Sequence, residues 1–175
     1  MTDALDLIVI GAGMAGITAA KKCARAGWSV ANVDELPYGG TCALRDCDPK
    51  KMLRAGAEAV EAARRLEGKG ARGETRIDWP ALMKHKENFT DPVPQSMESG
   101  LTEAGVRALH GRARFTADDR VEIDGHGEIV FSHALIATGA KPRPLDFPGA
   151  EGLIDSTDFL NLAELPRRIV FVGDG

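Results

Sequence analysis

The sequence predicts an α/β fold built on a parallel sheet, and three observations carry that expectation. Residues 5–10 form a short Ile- and Val-rich run that stops at glycine, as a buried parallel strand does. Residues 14–26 turn to Ala, Lys and Arg, good helix formers, and Gly27 is placed to end the helix. Residues 29–33 then resume as a strand that ends at Asp34, completing a βαβ unit.

The remaining elements follow in order. Residues 35–41 read as a Gly- and Pro-bearing loop. A helix is expected from about Cys42, clearest over 52–66, and the polar, glycine-rich stretch 67–76 as an exposed loop. Residues 79–86 and 95–104 read as helices separated by Asp91-Pro92-Val93-Pro94, and 106–109 as a strand. Residues 112–132 predict short antiparallel strands around the turn Asp124-Gly125-His126-Gly127. Residues 134–137 read as a buried strand ending at Thr138-Gly139. A Pro-rich connector follows, and 168–172 read as a last strand leading to Gly173-Asp174-Gly175. This closing run faintly repeats the opening one, Leu7 to Gly13.

Length and composition narrow the function classes. A chain of 175 residues fits one compact domain, and 43% hydrophobic with 27% charged residues excludes a wholly disordered chain. A net charge of −4 without a basic stripe argues against a nucleic-acid partner. The longest nearly apolar run, 14 residues from Leu7 to Ala20, is too short to span a bilayer. Three cysteines are too few for a disulfide-stapled scaffold, and Asp3 and Asp6 replace the basic start of a signal peptide. The expectation is a soluble, cytoplasmic chain with no membrane partner, in which any disulfide serves chemistry rather than structure.

Gly11, Gly13 and Gly16 fit G-x-G-x-x-G between a strand and a helix. The first permits a tight turn, the second lets backbone approach a pyrophosphate, and the third lets helix pack on strand. The helix start, with Met14 and Ala15, offers free N–H groups to an anion. Asp34 lies 18 residues past Gly16, where a carboxylate can accept from a ribose. The plainer alternative is a glycine turn in a nucleotide-free domain.

Residues 39–51, Gly-Gly-Thr-Cys-Ala-Leu-Arg-Asp-Cys-Asp-Pro-Lys-Lys, place Cys42 and Cys47 five apart near a helix start. On an ideal helix their Cα atoms would stand roughly 8 Å apart, beyond disulfide span, so a bridge needs a distorted first turn. Pro49 helps, since it cannot donate to the Arg45 carbonyl. Lys50 and the helix start should lower the thiol pKa values. A redox pair is the favoured reading; two unpaired thiols or a metal site are the alternatives, and C-x₄-C lacks the usual zinc spacing. Cys23, between alanines on the first helix, reads as a packed core thiol, and His85, His110, His126 and His133 as structural or solvent-facing.

The run Gly39-Gly40-Thr41-Cys42-x-x-x-x-Cys47-x-Pro49-Lys50-Lys51 resembles the active-site signature of class I pyridine nucleotide–disulfide oxidoreductases, the family of glutathione reductase, dihydrolipoamide dehydrogenase and mercuric reductase. Further motifs match in order: Gly11 to Asp34, Gly111-x-Ala113-x-Phe115, Ala137-Thr138-Gly139 and Val172-Gly173-Asp174-Gly175. The resemblance implies a Rossmann-like FAD-binding domain with a small antiparallel meander over residues 1–165. Residues 166–175 would open an NAD(P)-binding domain, and the chain would be a fragment lacking the nicotinamide domain and the interface domain with its acid–base histidine, inactive alone. By the same resemblance Cys47 lies against the flavin, Cys42 meets substrate, and Lys50 sits near the flavin N5. Gly11, Gly13, Met14, Ala15, Gly16, Asp34, Gly40, Thr41, Ala113, Thr138 and Gly139 join Lys50 in holding FAD, with no metal site. NAD(P)H is the implied electron partner of the full-length protein, a small disulfide, dithiol or metal ion the implied substrate, and a homodimer its implied assembly. One departure stands out: Asp46 replaces the family's glycine before the second cysteine, and its carboxylate should oppose thiolate formation at Cys47. Two other readings remain, a non-catalytic nucleotide-binding module and a nicotinamide-only dehydrogenase with incidental cysteines.

Overall fold

The computed structural model describes residues 4–173. Strand β1 (Leu5–Ile10) leads through helix α1 (Met14–Arg25) to β2 (Val30–Asp34). Four helices follow: α2 (Gly40–Leu44), α3 (Cys47–Arg65), α4 (Trp79–Thr90) and α5 (Val93–Thr102). The chain then forms β3 (Arg107–His110), β4 (Ala113–Ala117), β5 (Arg120–Ile123) and β6 (Gly127–Ile136), and ends with a short 3₁₀ turn (Ala150–Gly152) and α6 (Ser156–Phe159).

All six strands form one sheet, in the order β3-β2-β1-β6-β5-β4. The pairs β1/β2, β2/β3 and β1/β6 are parallel; β5/β6 and β4/β5 are antiparallel. Strand β6 serves both halves. Its first residues pair with β5, and Phe131 to Ile136 pair with β1. The expected α/β architecture, parallel sheet plus antiparallel meander, is therefore present.

One apolar cluster, with Leu7, Val9, Ile17, Ala20, Val30 and Leu101, joins β1 and β2 to α1 and α5; a second, with Ile8, Val33, Leu109, Val121, Ile123 and Phe131, joins the parallel strands to the meander. A third packs Leu53 of α3 and Met83 of α4 against Leu160 just past α6, with Trp79 and Phe159 at its margin. Cys23 is partly buried and packs on the first cluster, as read from its alanine neighbours.

Four expectations change in detail. The helix expected from Cys42 is two helices, with Arg45 and Asp46 between them. Helix α5 starts at Val93 rather than Gln95, because Pro94 falls in the first turn, where a missing N–H costs nothing. The strand 134–136 forms but is only partly covered: Leu135 packs on the first apolar cluster, while Ile136, on the opposite face, is 65% exposed. Residues 168–172 pair with no strand among the described residues, and Val170 and Phe171 are exposed. Asp174 and Gly175 of the closing glycine motif lie outside the described residues.

Candidate active site

The site begins where β1 ends. Gly11 has φ of +112°, and a Cβ there would collide with the Ala137 carbonyl; at Gly16 a Cβ would collide with the Gly11 carbonyl. The loop thus sits against the end of β6 on one side and the first turn of α1 on the other. Gly13 precedes α1 as its cap, with no side-chain capping bond, while Met14 and Ala15 are exposed. The first N–H groups of α1 are therefore open to an anion.

Asp34 closes the second side. Its Oδ2 accepts the Ala12 N–H at 2.7 Å and its Oδ1 the Leu36 N–H at 2.9 Å. Its carbonyl accepts the Gly111 N–H at 3.0 Å, which brings the Gly111–Ala113 segment to the same end of β2. Ala113 starts β4, opposite Ile123. Asp34 and the segment that leads to Ala113, both expected from the sequence at the dinucleotide site, are thus neighbours. Thr138 meets Gly11 through its backbone N, and Gly139 has φ of +72° with open space around it.

The dithiol segment docks on this loop. Gly39 N–H donates to the Ala12 carbonyl at 2.9 Å, and a Cβ on Gly40 would stand 2.5 Å from Gly13 Cα. Thr41, beside it, is exposed. Cys42 lies on α2 and Cys47 opens α3. The chain breaks between them at Arg45 (φ −131°, ψ 4°) and Asp46 (φ −153°, ψ −92°). Pro49, with no N–H for the Arg45 carbonyl, fits this break. Both cysteines are partly exposed free thiols, and Cys47 acts directly on Cys42.

The electrostatics differ from expectation. The Cys42 thiol is pushed up, not down, first by its hydrogen bond to Cys47, then by burial and the Cys47 and Asp48 charges. The cation that opposes this rise is Lys51, which the sequence reading left out and whose Nζ lies 3.6 Å from Asp48 Oδ1. Lys50 instead pairs with Asp46, Nζ to Oδ1 at 3.0 Å, and that contact raises the Lys50 pKa. Asp46 Oδ2 accepts from Cys47 Sγ at 3.9 Å.

Sequence reasoning also missed Tyr38. It is fully buried at the β2/β3 seam, where its hydroxyl accepts the Leu109 N–H at 2.9 Å and faces the carbonyls of Leu109 and Asn32 at 2.8 and 3.0 Å. No local pattern marks it, since Leu109, which both donates to and accepts from it, is 71 residues away. Its ring stacks on His110, whose Nε2 lies 3.0 Å from Glu98. His133 bonds the Asp6 carbonyl and packs on Trp28. Among the described residues no helix is long and apolar enough to cross a membrane, and no group of three or more His, Cys, Asp or Glu gathers as a metal site.

An open glycine loop with a carboxylate at the end of the neighbouring strand, joined backbone to backbone to a pair of thiols, defines a dinucleotide-binding domain of the redox type. The family model for pyridine nucleotide-disulphide oxidoreductases matches residues 5–175, and the chain belongs to that family. It is 34% identical to a dihydrolipoyl dehydrogenase of Chlamydia pneumoniae, over 100% of this chain and 39% of that protein. It is 31% identical to dihydrolipoyl dehydrogenase 2 of Haloarcula marismortui, over 100% and 39%. A glutathione reductase of Nostoc sp. is 32% identical, over 100% and 38%. The chain thus spans about two fifths of the length of these curated relatives.

Proposed function

We propose that this chain is the FAD- and dithiol-bearing part of an NAD(P)H-linked disulfide oxidoreductase. The contact between Gly13 and Gly40 carries this reading, because it makes the anion-binding loop and the thiol segment one site. Residues up to 165 form the FAD-binding unit, and 166–175 begin an NAD(P)-binding unit. The α1 N-terminus would hold the pyrophosphate, Asp34 the ribose, and Gly111 to Ala113 the adenine end. Gly40, Thr41, Lys50, Thr138 and Gly139 would line the flavin end.

FAD, when bound, would carry two electrons between a nicotinamide and the thiol pair. The chain's own residues do the sulfur chemistry. The Cys42 thiolate attacks one sulfur of a disulfide RS–SR, forming Cys42–S–SR and releasing RS⁻, which takes a proton. Cys47, deprotonated in turn, attacks the Cys42 sulfur and releases the second RS⁻, leaving a Cys42–Cys47 disulfide. The substrate is oxidised by the reverse sequence when it is a dithiol. The substrate class is a small disulfide or dithiol, the whole protein is a homodimer, and its compartment is the reducing cytoplasm. The residues present, which span about two fifths of the relatives' length, carry the FAD- and dithiol-bearing share of that reaction.

A second reading, a nucleotide-binding module without the reaction, draws on the raised Cys42 thiol. Titration with FAD, followed by flavin fluorescence, tests the primary reading. It predicts saturable binding that weakens about ten-fold or more in Asp34→Ala, which removes one charged acceptor. Equal titration curves for both proteins, or no binding at saturation, would overturn it.

A further inference from the structure

Asp46 holds the capping position of α3, where an aspartate ordinarily accepts N–H groups of the first turn. It makes no such bond here. One oxygen holds the Lys50 ammonium at 3.0 Å and the other faces Cys47 Sγ at 3.9 Å. Lys50 is within electrostatic reach of both sulfurs, yet its ammonium is committed to Asp46. The charged side chains of this segment are Arg45, Asp46, Asp48, Lys50 and Lys51; Asp48 and Lys51 act on Cys42, and Asp46 acts on Lys50. We propose that Asp46 is a positioning residue for the thiol pair: it gives up its capping bonds to hold the Lys50 ammonium on one carboxylate oxygen while the other faces Cys47 Sγ, so that Lys50 is kept from turning to the sulfurs.

The inference rests on the dithiol reading above and adds how that site is restrained. Asp46 and Lys50 side chains are about half exposed, so both positions tolerate substitution without refolding the core. The consequence is non-additivity. Removing Lys50 changes little while Asp46 holds it, and much once Asp46 is gone and the ammonium can turn to the thiolates.

The test is the pH profile of iodoacetamide alkylation, read at Cys42 and Cys47 by peptide mass, in wild type, Asp46→Asn, Lys50→Gln and the double variant. Asp46→Asn should lower the alkylation midpoint by about half a pH unit, about a three-fold faster reaction at neutral pH, as expected for one charge at the protein surface. Adding Lys50→Gln to Asp46→Asn should reverse most of that gain. Lys50→Gln alone should move the midpoint less than it does on the Asp46→Asn background. Additive shifts, or an unmoved midpoint in Asp46→Asn, overturn the proposal. Oxidative bridging of Cys42 to Cys47 in the wild type is scored in parallel. Bridging with additive shifts discards only the role of Asp46; no bridging discards the dithiol reading itself.

Discussion

Gly13 and Gly40 meet backbone to backbone, so closely that a Cβ on Gly40 would stand 2.5 Å from Gly13 Cα. Through this contact a loop that suits a pyrophosphate and a helix that carries a thiol share one wall. Gly40 cannot grow without separating the two halves of the site, whereas a Cβ on Gly13 would meet Gly40 Cα at 3.8 Å, an ordinary contact.

Gly40→Ala should therefore weaken FAD binding and lower stability, since φ at Gly40 is +68° and the added methyl meets backbone. Gly11→Ala should cost more than about 2 kcal/mol, adding a collision with the β6 end to the left-handed penalty. Gly27→Ala, at φ of +91° but in open space, should cost about 1–2 kcal/mol from conformation alone. Urea unfolding of the three variants checks the order.

Tyr38 is the chain's one tyrosine, so tyrosinate absorbance reports it alone. Burial, its largest influence, pushes its pKa up to about 12, against about 10 when unfolded. The folded state thus holds the proton more tightly. The stability this gives is fully present below pH 10 and is lost as pH rises toward 12. Tyr38→Phe should remove that loss and cost about 1–3 kcal/mol at neutral pH, because the Leu109 N–H loses its acceptor. Absorbance titration, and urea melts compared at about pH 8 and about pH 11, check both.

The segment after the Pro-rich connector is pinned by two donors from α4. Trp79 Nε1 donates to the Leu162 carbonyl at 2.8 Å, and the buried Lys86 Nζ to the Leu160 carbonyl at 2.7 Å. Trp79→Phe should cost about 1 kcal/mol and speed proteolysis within residues 137–154, where no helix or strand longer than one turn forms. Limited proteolysis with peptide mapping reads this. An unchanged cleavage rate would show that the docking does not depend on the indole.

Much of this was legible locally. The βαβ unit, the glycine loop, Asp34 and the Asp124–Gly127 turn were readable because each rests on short-range rules: apolar runs, glycine where φ is positive, helix formers between. What was not legible depends on residues distant in sequence or on side-chain choice between neighbours. The break that brings Cys42 to Cys47 needed the backbone angles at Arg45 and Asp46. The lysine that opposes the Cys42 rise is Lys51 rather than Lys50, because Asp46 sits one helical turn before Lys50 and takes its charge. The exposure of Ile136 depends on which elements cover β6, and the Tyr38 seam on a partner 71 residues on.

The account stands on Cys42 and Cys47 acting as one two-electron unit, and mild oxidation followed by peptide mass mapping tests it most directly. A Cys42–Cys47 disulfide that forms in the monomer, leaves Cys23 free and is restored to two thiols by a dithiol reductant is the predicted result. Cys42 and Cys47 alkylating independently after oxidation, with no peptide joining them, would contradict it.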